Sequence, residues 1–171
     1  DGQVLTSAGA GQPPAFEAVS AGVNTPAFEA KLASDQDIGN DTLTKLAFAT
    51  EVFDTAGAYD ASTNYRFTPL TAGKYFVYCT VEAHESGDLR IKTNTTMIKK
   101  NGSLYKQTVN AMEIGSDTHL ASHLASTVVT TIDMNGSSDY VEVFASTDFY
   151  APGTGTADAA SAVFGAYKII E

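Results

Sequence analysis

Residues 73–83 read GKYFVYCTVEA. Side chains alternate across a β-strand, so Tyr75, Val77, Cys79, Val81 and Ala83 share one face, while Phe76, Tyr78, Thr80 and Glu82 share the other. The first face is apolar along its whole length and the second over its first half. A strand of a two-layer domain normally turns one face to water, so this one needs cover on both sides. The simplest cover for the second face is another copy of the chain.

Strand-like runs continue on either side. From Leu124, one face reads Leu124, Ser126, Val128, Thr130, Ile132 and Met134, and the other carries His123, Thr127, Val129, Thr131 and Asp133, half of it polar. The spacing of turn residues predicts strands over 27–33, 44–53, 65–70, 74–84, 88–100, 103–109, 120–134, 139–148 and 160–170. Asn101-Gly102 and Asn135-Gly136 lie between such runs and supply the left-handed residues of tight hairpins. Residues 1–25, rich in Gly, Ala, Ser and Pro without a sustained period, read as a linker or short repeat, and 26–171 as one domain.

Composition agrees with an all-β chain. At 171 residues and 17.9 kDa the length suits one domain of about 150 residues. Charged residues make up 18%, below the roughly 25% of an average domain. Thr, Ser, Asn and Gly supply the polarity, and with Val, Tyr and Phe they favour short strands and turns over helices. Ten Lys and Arg against twenty Asp and Glu leave a net charge of -10. That sign opposes binding to phosphate backbones or anionic lipid, so neither nucleic acid nor membrane insertion is expected. No apolar run approaches the ~18 residues of a membrane span. The start at Asp1, with neither an initiator Met nor a signal pattern, reads as a processed product or the visible end of something longer.

Beyond these patterns the chain resembles the C1q/TNF-like jelly rolls, the C1q type in particular. The similarity runs through Phe48, Asp54 after five intervening residues, Tyr59 after four more, Phe67, Gly73 after five, and Tyr75. The Tyr59 to Phe67 interval is one residue longer than the family pattern, which predicts a lengthened loop before Phe67. MIKKNGSLY at 97–105 resembles the family's Asn-Gly hairpin, STVVTTIDMNGSSDYVEVFAS at 126–146 its later strand pair, and SAVFGAYKII at 161–170 its closing strand with Gly165. This resemblance implies a ten-strand sandwich that forms a homotrimer through its inner sheet, with Phe76 and Tyr78 facing the neighbouring subunits. Upstream, GQVLTSAGAGQPPAFE resembles segments that recur in bacteriophage fibres and other virion proteins. The two parts together imply a virion fibre or knob module, partnered by fibre or capsid proteins and by a host-surface glycan or protein. The competing expectation is a secreted C1q-like ligand or lectin of a cellular organism, which would carry collagen repeats before the domain.

Candidate chemistry is sparse. There is no G-x-S-x-G elbow, and Cys79 on its alternating strand reads as core, so no enzyme is expected and no organic cofactor. His119 and His123, four apart, could converge on a metal with Glu113 or Asp117 as a third ligand. Asp35, Asp37 and Asp41 around Gly39 supply hard oxygen ligands suited to Ca²⁺. Recognition is expected in loops at the sandwich ends. The stretch 148–159, DFYAPGTGTADA, offers Phe149 and Tyr150 either as aromatic platforms for a ligand or as side chains that pin the loop onto the sandwich, and the stretch 110–119 offers Glu113, Asp117 and His119.

Overall fold

A computed structural model describes residues 3–7, 10–18, 24–85, 91–112, 121–150 and 153–170. Every regular element among them is a strand: β1 (Gln3–Thr6), β2 (Ala15–Ala18), β3 (Ala27–Lys31), β4 (Gln36–Gly39), β5 (Thr44–Lys45), β6 (Thr50–Asp54), β7 (Tyr59–Asp60), β8 (Arg66–Phe67), β9 (Ala72–His84), β10 (Ile91–Lys100), β11 (Ser103–Ala111), β12 (His123–Asn135), β13 (Val141–Phe149), β14 (Thr154–Ala157) and β15 (Val163–Ile170). β1 and β2 form a separate hairpin, and the rest make two antiparallel sheets of a jelly-roll sandwich.

β9 organises the larger sheet. Along one edge it pairs with β12 from His84↔His123 to Ala72↔Asn135. Along the other it pairs first with β15, from Lys74 to Thr80, and then with β14 at Ala83 and His84. β15 passes the sheet on to β3 and β6, and β14 to β4. The second sheet runs β11-β10-β13-β8-β7, with β5 also on β13.

The alternation read in 73–83 holds. Tyr75, Val77, Cys79 and Val81 are fully buried, and Leu124, Ser126, Val128, Ile132 and Met134 bury the matching face of β12. Between the sheets Phe28 stacks on Tyr59 and Phe67 at centroid distances of 4.5 and 4.6 Å and meets Phe164 edge-on at 4.9 Å. Aromatic pairs at these spacings add about 0.5–1.5 kcal/mol each beyond burial. The Tyr59 hydroxyl donates to the Phe48 carbonyl at 3.0 Å, so this buried phenol is satisfied, and burial pushes its ionisation far above the usual range.

Several expectations are corrected. The single strand over 44–53 is two, because the chain crosses from one sheet to the other: β5 pairs with β13 and β6 with β3, with Leu46 and Phe48 buried at the crossing. β4, β7 and β14, of four, two and four residues, lie outside the strands expected from the sequence, and each is held by its pairing. Asn101 and Gly102 have φ of 52° and 78°, the pair of left-handed residues that a two-residue hairpin requires. Asn135 does not repeat this. It ends β12, and its side-chain oxygen caps a longer turn by accepting from the amides of Ser137, Ser138 and Asp139. The two turns are stapled together: Asp139 accepts from Lys100 at 2.7 Å and from Asn101 Nδ2 at 2.8 Å, which lowers its carboxyl pKa.

The lengthened interval is a turn at 61–64 capped by Asp60, whose carboxylate accepts from the amides of Ser62, Thr63 and Asn64. Asn94, fully buried on β10, ties the sheets from inside: its Nδ2 donates to the carbonyls of Val81 and Leu124 at 2.9 and 2.7 Å. Asn94→Leu keeps the branched heavy-atom skeleton and removes both N–H donors, so urea denaturation should show a loss of about 1–3 kcal/mol; unchanged stability would mean that this link carries nothing.

Candidate interaction surfaces

The solvent face of the larger sheet gathers the second half of the β9 alternation. Phe76 and Tyr78 lie half-buried with ring centroids 6.2 Å apart, and Tyr167 of β15 sits 5.4 Å from Phe76. Val129, opposite Tyr78 on β12, is 50% exposed. The sequence placed Phe76 and Tyr78 on this face; Tyr167 and Val129 join them only through the register, which one strand's pattern does not contain.

Tyr78 lies across the sheet because of one glycine. Gly165 is its partner on β15, and a Cβ there would come within 2.4 Å of the Tyr78 ring and hydroxyl. Without it the ring reaches over β15 and donates to Glu29 Oε2 on β3 at 2.7 Å. Burial, then the bond to Glu29, raises the phenol pKa well above its ordinary 10.0. A Gly165→Ala side chain must lift the ring, so spectrophotometric titration should show Tyr78 ionising nearer its ordinary value; an unshifted titration would contradict the close approach.

The adjacent edge is formed by β11 and β12, each paired on one side only. They are tied across the sandwich by Tyr105 Oη donating to Thr131 O, Ser126 Oγ to Thr108 O and Asn110 Nδ2 to Ala125 O. Leu104, Tyr105, Val109 and Met112 are exposed along it, from 38 to 55%.

At the sandwich end proposed for recognition, Phe149 is corrected. It is 3% exposed and packs with Ala83, Ile91 and Leu124, so it pins the strand end instead of standing free. Tyr150 is 47% exposed, with Lys92 Nζ 4.9 Å over its ring and 3.4 Å from Asp148. The stretch 148–159 is not one loop, since Thr154–Ala157 is a strand between β4 and β9. Glu113, Asp117 and His119 lie outside the described residues.

The cation expectations find no cluster. Asp35 accepts from the Ala159 amide at 2.9 Å, Asp37 stands exposed on β4, and Asp41 follows it with φ of 47°. Among the described residues no group of three or more His, Cys, Asp or Glu side chains is placed to hold a metal. His123 meets His84, not foreseen, in a stack at 4.6 Å, and its Nδ1 lies 2.9 Å from Glu82 Oε1. Cys79 is fully buried and desolvation raises its pKa, so the thiol is part of the core. Among the described residues no helix is long and apolar enough to cross a membrane.

No protein-family model and no curated protein matches the sequence. Solved structures do match the fold. Murine APRIL at pH 5.0 superposes with a TM-score of 0.59 at 10% identity, over 84% of this chain and 98% of that one. Eiger TNF from S. frugiperda gives 0.58 at 10%, over 85% and 91%. The globular domain of zebrafish complement 1qA gives 0.57 at 14%, over 85% and 98%. The chain has the TNF/C1q-like jelly-roll fold.

Proposed function

We propose that this chain is the non-catalytic attachment module of a virion fibre and works as a homotrimer. The observation that carries the reading is the pairing of an apolar sheet face with an apolar edge on one subunit. Phe76, Tyr78, Tyr167 and Val129 form the face, and Leu104, Tyr105 and Val109 stand on the edge. Two different patches on one subunit make a head-to-tail contact, which closes into a ring when the rotation permits. Three copies, each laying its edge on the next one's face, cover both patches, and buried aromatics dominate such contacts.

The N-terminal hairpin supports the fibre over the secreted ligand, which would share the sandwich. Leu5 and Phe16 are directly opposite each other in it and 61 and 68% exposed. A two-stranded hairpin is marginal alone in water, so one with an exposed apolar pair calls for neighbours of the kind a fibre supplies. In this reading the end bearing Tyr150 contacts the host surface, and no bond is broken there.

Light scattering on the purified protein should give about three times 17.9 kDa. Tyr78→Asp should shift that mass to the monomer, and a monomeric parent protein at micromolar concentration would overturn the trimer. Incubation with host polysaccharide should release no new reducing ends, and release would overturn the non-catalytic reading.

A further inference from the structure

Beside the Asp60-capped turn lies a cavity of about 370 Å³. Pro26, Ala58 and Leu70 give it an apolar side, and Asp60, Arg66, Thr68 and Thr71 a polar one. Its size falls in the range of about 300–1,000 Å³ typical of small-ligand sites. It adjoins the interval where the sequence departs from the family pattern.

Arg66 is its most telling group. The guanidinium carbon lies 4.4 Å from the centroid of the Tyr140 ring. A guanidinium held over a ring by this cation–π contact still has N–H groups to offer an acceptor. Among the described residues no carboxylate lies within ion-pair distance of Arg66. Asp60, its partner across β7 and β8, is already engaged. Oδ1 of Asp60 accepts from the amides of Ser62 and Thr63 and the Ser62 hydroxyl, and Oδ2 from the amide and side chain of Asn64. Those bonds, with the Thr63 amide foremost, hold its carboxyl far below the usual range. In a chain of net charge -10, an oriented guanidinium with a free edge in a cavity is an unusual feature.

We propose that this cavity binds an acidic sugar residue. The carboxylate takes the free edge of Arg66 in a two-bond fork, the apolar face of the ring lies on Pro26 and Leu70, and hydroxyls meet Thr68 and Thr71. The inference rests on reading the domain as an attachment module and gives that module a ligand class.

The test is calorimetric titration of the full chain with glucuronate, glucose and acetate. Glucuronate should saturate with a dissociation constant in the millimolar range, and glucose and acetate should bind at least about tenfold more weakly. Arg66→Met should abolish binding, and Arg66→Lys, which keeps the charge but loses the fork, should weaken it at least about tenfold. Because Arg66→Met also removes the stack on Tyr140, Leu70→Trp provides a second arm: it fills the cavity from its exposed rim and should abolish binding with mass and melting temperature unchanged. Failure of glucuronate to saturate, equal binding of glucose or acetate, or full binding by Leu70→Trp would overturn the proposal. Host-cell binding separates the two readings: if the parent protein and Leu70→Trp bind cells equally, the cavity assignment falls and attachment stands, whereas a parent protein that binds no cell surface removes the attachment reading itself.

Discussion

The register between β9 and β12, two strands of thirteen residues paired end to end, is the constraint from which the core and the aromatic face follow. Side chains alternate with a period of two, so a slip of one residue would turn Tyr75, Val77, Cys79 and Val81 to solvent and drive Phe76, Tyr78, Glu82 and His84 into the core. Burying the first set closes the sandwich. The same register sets Val129 beside Tyr78, His123 beside His84 and Asp133 beside Lys74. It also leaves β9 a free edge on the opposite side, which β15 and β14 share, so the sheet continues as two branches. The aromatic face thus follows from this pairing, while the apolar edge is set by β11 on β10.

Legibility in the sequence followed the source of each element's stability. GKYFVYCTVEA and the run from Leu124 carry their burial pattern in their own residues, and the structure reproduces it position by position. QDIG at β4 and TGTA at β14 are too short for an alternation to stand out: they are strands because β14 pairs with both β4 and the end of β9. A two-residue element such as β5 or β7 has no period to read. The two Asn-Gly pairs show the same limit, since one supplies a left-handed pair to a tight turn and the other uses its Asn side chain to cap a longer one.

Candidate site residues were harder to read, because each depends on neighbours that are distant in the chain. Phe149 in DFYAPG looks free to face a ligand until Ala83, Ile91 and Leu124 close around it. Arg66 has no motif; its interest comes from Tyr140, from an Asp60 spent on its own turn, and from a cavity that needs Pro26 and Leu70 to close. Tyr78 was visible as an outward aromatic, whereas its flat pose depends on Gly165 and Glu29, residues 87 and 49 positions away by subtraction of their numbers.

The central claim is that the aromatic face of one copy is covered by the β11 edge of the next. Amide hydrogen exchange measures this directly, because the outer edge of β11 has no partner strand within its own subunit. The account predicts that amides of Ser103–Ala111 exchange slowly in concentrated protein and gain exchange on dilution, together with those flanking Tyr78. Free exchange along the β11 edge at every concentration, with the rest of the sandwich protected, would contradict it.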